Sequence, residues 1–111
     1  MNAIREEIKN AVEKEKAHAE DVYGLYASFH EKYGVMFEEL QKVEEELRNV
    51  RDSFDRMWRR IRANNENDAK YQAMAVAISA ENLAAEVVQL AAAARKQLEE
   101  DYLPKGAEVS E

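Results

Sequence analysis

The sequence of 111 residues contains no cysteine, one proline and three glycines. The absence of cysteine excludes disulfides, thiolate metal sites and thiol nucleophiles. The scarcity of glycine and proline, together with abundant Ala, Glu, Lys and Arg, disfavours β-sheet and disorder and favours long helices. No run of apolar residues comes near the roughly twenty that a membrane-spanning helix needs, so we expect none.

Signals for export and for common catalytic sites are missing as well. The start of the chain is acidic and has no apolar core, so we expect no secretory signal and predict a cytoplasmic protein. No serine stands in a glycine-flanked elbow and no glycine loop could cradle a phosphate. The two histidines, His18 and His30, are too far apart in the chain to form a paired zinc motif, so we expect both to be ordinary surface residues.

Apolar residues recur at steps of three and four along the first part of the chain, from Asn2 to about His30, which predicts an amphipathic helix. Gly24 and Gly34 weaken the pattern, because glycine costs about 1 kcal/mol in a helix interior. We therefore expect a break or kink between Tyr33 and Val35.

The second part carries an almost uninterrupted heptad pattern that predicts a long helix with coiled-coil-like packing. The run Asn64–Asp68 should end this helix, because short polar side chains favour turns. The apolar residues of the heptad row alternate at steps of four and three: Met36, Leu40, Val43, Leu47, Val50, Phe54, Met57 and Ile61.

The third part, from about Asp68 to Tyr102, is rich in alanine and is predicted to be the most buried helix. Pro104 and Gly106 should stop it. The sequence thus predicts an all-α protein of three to four long helices in an antiparallel bundle, with one domain over residues 1–104 and a tail over 105–111. Three helices cannot cover every apolar face, so we expect homo-oligomerisation, as a dimer or tetramer, to complete the bundle.

Carboxylates are the remaining candidates for chemistry, because Mg²⁺ prefers clustered oxygen ligands. Glu38 and Glu39 begin one acidic group, and the run 44–46 forms another on the same helix. Glu86 lies in the least polar stretch of the chain, with Gln89 three residues later and so on the same helical face. In a chain with 23 acidic residues, most such groups are solvated faces.

The stretch His30–Leu40, His-Glu-Lys-Tyr-Gly-Val-Met-Phe-Glu-Glu-Leu, resembles the signature of MazG-like nucleotide pyrophosphohydrolases, especially small phage-borne members. The stretch from Ala85 to Ala94 is similar to the helix that carries the second acidic motif of that family. The resemblance covers about a third of the chain and implies an all-α bundle that dimerises or tetramerises. It also implies Mg²⁺-dependent hydrolysis of nucleoside triphosphates to monophosphate and pyrophosphate.

Carried over residue by residue, the resemblance assigns Glu38, Glu39 and Glu86 as catalytic residues and metal ligands, with Gln89 completing the metal set. Two positions depart from the family pattern. Lys42 stands where the third glutamate of the first motif is expected, and Gln89 stands where the second motif has an aspartate. Two readings stay open: Glu45, Glu46 or Glu81 substitutes for the lost ligands, or this chain is a catalytically degenerate nucleotide-binding relative.

Two further interpretations come from the residues alone. The heptad row could itself be the function, in a non-enzymatic coiled-coil interaction or structural protein of phage or prophage type. The stretch from Arg48 to Arg62, with six arginines and Trp58, could instead contact phosphates and a base. The overall charge of −7 argues against nucleic acid as the partner, because such contacts need a dominant basic face.

Overall fold

The computed structural model describes residues 2–23 and 28–98 of the chain. These residues form three α-helices, α1 (Asn2–Tyr23), α2 (Phe29–Arg62) and α3 (Glu66–Leu98). The prediction of an all-α fold with packed helices is confirmed. The predicted tail and the stop at Pro104 lie outside the described residues.

Helix α2 begins at a capped N-terminus. The backbone amide of Glu31 donates to the Ser28 Oγ at 3.2 Å, and the amide of Lys32 donates to the Ser28 carbonyl at 3.1 Å. Such a serine cap satisfies amides that the first turn would otherwise leave unpaired. The predicted break between Tyr33 and Val35 is wrong, because α2 continues through Gly34, and its cap lies upstream of that glycine.

The turn between α2 and α3 is built from two asparagines. Asn64 has a φ of 57°, the left-handed conformation that commonly terminates a helix. Its amide donates to the Ile61 carbonyl and the Asn65 amide donates to the Arg60 carbonyl, which satisfies two terminal carbonyls of α2. The Asn65 Oδ1 then accepts from the Asp68 amide at 3.2 Å and caps α3. The predicted end of the second helix in this run is confirmed.

The described residues divide into two compact units. The first contains α1, the start of α2 through Leu40 and the end of α3 from Val88. Its buried residues include two lysines, Lys32 and Lys96, beside Val12 and a pair of alanines at 92 and 93. The Lys32 Nζ donates to the carbonyl of Gln97 at 2.9 Å. A buried ammonium therefore pairs with a carbonyl in the last described turn of α3, where the helix dipole favours positive charge.

The second unit, Gln41–Val87, is a hairpin of the rest of α2 and the rest of α3. Each helix contributes an inner row of residues that are buried or half-buried. On α2 the inner row is Val43, Glu46, Val50, Ser53, Arg56, Met57 and Arg60. On α3 it is Ala69, Gln72, Val76, Ser79, Leu83 and Glu86.

Only part of the heptad row of α2 belongs to the inner row of the hairpin. Val43, Val50 and Met57 are half-buried, whereas Leu47, Phe54 and Ile61 are exposed. The predicted coiled-coil-like packing thus involves Val43, Val50 and Met57, whereas the other three residues lie outside the contact with α3. Each exposed member follows an inner-row residue by one position, which turns it about 100° away from α3.

Helix α3 is buried most completely near its end. Five of the eight buried residues in the described part of the chain lie on α3. In the first unit, every described residue from Val88 to Gln97 except Arg95 is buried or half-buried. In the second unit Ala77, Ala80 and Ala84 are exposed.

By length and composition, α3 is also the one described helix that could cross a membrane. This is weak support for a membrane span, because the core helix of a soluble bundle passes the same test. The apolar stretch also contains Glu81, Asn82 and Glu86, which are costly in hydrocarbon.

Candidate functional site

Helix α2 carries the first pair of candidate ligands in the first unit. Glu38 is exposed, whereas Glu39 is half-buried. Glu39 follows the buried Lys32 by seven residues and the half-buried Val35 by four, so these three side chains share one face of the helix. Glu39 therefore occupies a row that a purely structural helix would fill with apolar residues.

The other two candidates lie on α3. Glu86 is half-buried and is the last inner-row residue of the hairpin, three positions after Leu83. Gln89 is also half-buried and belongs to the first unit. A carboxylate in an inner row is costly to desolvate, so it is retained for pairing or for binding.

Within the described ranges, no three His, Cys, Asp or Glu side chains are grouped so that they could hold a metal ion. Glu38, Glu39, Glu86 and Gln89 nevertheless offer oxygen donors of the type that Mg²⁺ prefers. Lys42, at the departure from the family motif, is exposed. His18 and His30 are exposed, as expected for surface residues.

Polar contacts join the two helices of the hairpin. The Arg56 Nε donates to the Gln72 Oε1 at 3.1 Å, and another nitrogen of its guanidinium donates to the Ser53 Oγ at 3.0 Å. Ser53 and Gln72 are both buried. Nearer the turn, Arg60 forms an ion pair with Asp68. The contact inside the hairpin thus includes hydrogen bonds and an ion pair beside half-buried apolar residues.

Sequence reasoning missed this polar row. The available signal was its period, since Glu46, Ser53 and Arg60 recur every seven residues, one position before Leu47, Phe54 and Ile61. The buried side of α2 combines these polar residues with Val43, Val50 and Met57 of the heptad row.

The arginine stretch is only partly available to a phosphate. Arg56 and Arg60 are half-buried and engaged with α3, whereas Arg59 and Arg62 are exposed. Trp58 is exposed as well, at 56%.

A polar groove of about 370 Å³ runs along one side of the hairpin. It is open and lies beside the Arg56 contacts. Its lining combines amide, hydroxyl and charged side chains with two apolar residues: Glu46, Asn49, Asp52, Ser53, Arg56, Ala75, Ile78, Ser79 and Asn82.

Compared with known protein families, with curated proteins and with solved structures, the chain matches none of them.

Proposed function

We propose that this protein is a MazG-like helical bundle that binds nucleoside triphosphates and hydrolyses them to monophosphate and pyrophosphate with Mg²⁺. The observation that carries the proposal is the position of Glu39 and Glu86. Each lies in a row of buried or half-buried residues on its own helix. The resemblance assigns metal binding to these same two glutamates.

The proposed roles follow from the chemistry of the side chains. Glu38, Glu39 and Glu86 would hold the metal through carboxylate oxygens, and Gln89 would add a neutral amide oxygen. One of the glutamates would also orient or deprotonate the attacking water. Bound Mg²⁺ would supply neutralisation of phosphate charge and a more acidic water.

The test is release of pyrophosphate from a panel of nucleoside triphosphates with Mg²⁺ or Mn²⁺. Activity should depend on the metal and should fall at least about a hundredfold in Glu39→Gln and in Glu86→Gln, because general acid–base groups contribute on this scale. Glu44→Gln is the matched control, since Glu44 is an exposed glutamate of the same helix. This control should keep full activity.

Thermal unfolding gives a second readout that separates loss of activity from loss of fold. Metal should raise the melting temperature of the wild type, since a ligand that binds only the folded state stabilises it. Glu39→Gln should gain nothing from Mg²⁺, because the variant lacks one of the proposed ligands. Absence of both pyrophosphate release and a metal-dependent shift would reject the enzyme proposal.

A second candidate function is that of a non-enzymatic interaction protein. It is favoured by the exposed apolar residues in the heptad row of α2. Leu47, Phe54 and Ile61 present large apolar side chains to solvent in a single chain. Extended apolar patches of this kind mark protein contact surfaces. In this case Glu39→Gln and Glu86→Gln should change neither nucleotide binding nor the effect of metal on the melting temperature. All measurable function should instead depend on the exposed apolar residues of the heptad row.

A further inference from the structure

A second open groove, of about 720 Å³, lies within the first unit and is lined by residues of α1 and of the end of α3. We call it the α1–α3 groove. Its volume is in the range of ligand pockets, about 300–1,000 Å³. On α1 the lining extends from Asn2 to Glu13, which corresponds to about 16 Å along the helix axis. The groove is therefore large enough for a small elongated molecule.

Part of the lining is aliphatic and consists of Ile8, Val12 and Ala91. Val12 is buried and Ala91 is half-buried, whereas Ile8 is 48% exposed and can be covered further. None of the described residues that line the groove is aromatic, so they offer no ring on which a flat base could stack. This part of the lining suits a hydrocarbon chain.

Three cationic side chains line the same groove, Arg5 and Lys9 from α1 and Arg95 from α3. Arg5 and Lys9 are four positions apart and therefore share one face of the helix. Arg95 is the one exposed residue of the described stretch Val88–Gln97. In the part of the chain that the structure describes, none of the three has an ion pair or a side-chain hydrogen bond. The groove thus collects positive charge that the described residues do not neutralise.

The two carboxylates of the lining do not cancel this charge. Glu13 forms an ion pair with Lys16, with 3.4 Å between the carboxylate oxygen and Nζ, and Lys16 does not belong to the lining. Glu6 is then the remaining carboxylate against three cations. The α1–α3 groove is therefore locally positive in a chain whose net charge is −7.

We infer that the α1–α3 groove binds an aliphatic carboxylate, such as a medium-chain fatty acid. The carboxylate is held by the three cations of the lining, because charge-assisted hydrogen bonds from guanidinium and ammonium groups are stronger than those between neutral groups. The hydrocarbon chain lies along the aliphatic residues of the lining, where its burial is favourable.

The charge of the whole chain selects a ligand with one negative charge. A net charge of −7 repels anions at long range, and the repulsion grows with the charge of the ligand. This disfavours phosphate esters and acidic peptides relative to a monocarboxylate. The inference does not depend on the proposed catalysis, since Glu38, Glu39 and Glu86 do not line the groove.

The ligand class is tested by isothermal titration calorimetry of the full chain with octanoate, without added metal. Affinity should fall about twofold to fourfold for each methylene removed between octanoate and butyrate, because each buried methylene contributes to binding. 1-Octanol has the same chain without the charge and should bind at least about tenfold more weakly. If octanoate bound no better than 1-octanol, or no better than butyrate, the inference would be overturned.

The position of the carboxylate is tested with Arg95→Met, which removes one charge and keeps a side chain of similar length. Octanoate binding should weaken about tenfold or more. Arg51→Met is the matched control, because Arg51 is an exposed arginine of the second unit and does not line the groove. This control should bind octanoate as the wild type does. An equal loss in both variants would mean that only the overall charge matters and would overturn the inference.

The position of the hydrocarbon chain is tested with Ile8→Gln against Ile4→Gln. Both isoleucines are exposed on α1, at 48% and 57%, but only Ile8 lines the groove. Ile8→Gln should weaken octanoate binding several-fold, and Ile4→Gln should leave it unchanged. Equal affinities in the two variants would contradict the proposed position. Helical circular dichroism confirms that each variant has folded, and Arg5→Met replaces Arg95→Met if the latter does not fold.

Discussion

Ser53 and Phe54 are neighbours on α2, yet their surroundings differ. Ser53 is buried and Arg56 reaches across to Gln72, whereas Phe54 is 59% exposed. Hydrogen bonds thus hold the inner row within the hairpin, whereas the exposed heptad residues Leu47, Phe54 and Ile61 lie outside it. The difference indicates that polar contacts help to specify the hairpin, while the apolar surface of these three residues remains available for association.

The largest effect that would separate the inner row from the exposed heptad residues is expected at Phe54. If the exposed heptad residues of α2 are buried against a second copy, Phe54→Ala should lower the free energy of unfolding by about 3–5 kcal/mol, as for removal of a buried aromatic side chain. Tyr71→Ala is the control, because Tyr71 is 65% exposed and lies on α3, outside the heptad row. Its effect should stay within about 0.5 kcal/mol.

Urea denaturation at several protein concentrations measures both variants. The wild-type midpoint should rise with concentration, because association stabilises the folded state. If Phe54→Ala and Tyr71→Ala lost the same free energy of unfolding, and the midpoints did not depend on protein concentration, Phe54 would be no more buried by association than Tyr71 is.

The next effect is expected in the inner row, at Gln72. Replacing it by alanine leaves the Arg56 Nε without its acceptor in a part-buried site, and such a loss costs about 1–3 kcal/mol. Sedimentation of Gln72→Ala should still give a dimer, because the residue lies inside the hairpin. If this variant lost stability and association together, the inner row and the exposed heptad residues would be one cooperative unit.

A smaller effect is expected at the cap between the helices. Asn65→Ala removes the acceptor of the Asp68 amide and should cost about 1 kcal/mol. Asn65→Ser keeps an oxygen acceptor and should recover most of the loss. Denaturation of the two variants side by side measures the difference, and equal stabilities would show that the cap contributes nothing.

The sequence predicted what is encoded locally. The turn at Asn64 and Asn65 was identified because short polar side chains hydrogen-bond their own backbone. The boundary near Gly34 was mistaken, because one glycine is tolerated in a helix of 34 residues when Ser28 caps its start. The facing of α2 could be predicted only in part, since Val43, Val50 and Met57 are half-buried but Ser53 is buried in place of Phe54. Period alone cannot decide between such neighbours, because the turn and the cross-helix pairs decide it.

For the candidate site, too, the sequence predicted only the features that are encoded locally. Helix periodicity places Gln89 on the face of Glu86, and both are half-buried on α3. The charge changes at Lys42 and Gln89 are visible in sequence, but their effect on metal affinity depends on how ligands from different helices are held. That arrangement depends on tertiary packing and on any second copy, which no local pattern encodes.

The smallest effect is expected from the ion pair between Arg60 and Asp68, and it tests whether charge specifies the hairpin as strongly as the Arg56 contacts do. Both side chains are more than a third exposed, so solvent screens their attraction and the coupling should be about 0.2–1 kcal/mol. A double-mutant cycle of Arg60→Ala and Asp68→Ala is needed, because Asp68 also lies in the first turn of α3 and stabilises the helix dipole by itself. The cycle subtracts that contribution and leaves the pair alone. The coupling should shrink as salt is added, whereas the cost of Gln72→Ala should not. A coupling that resists salt would mean that the pair is buried by a second copy, and the inner row would then extend into the interface.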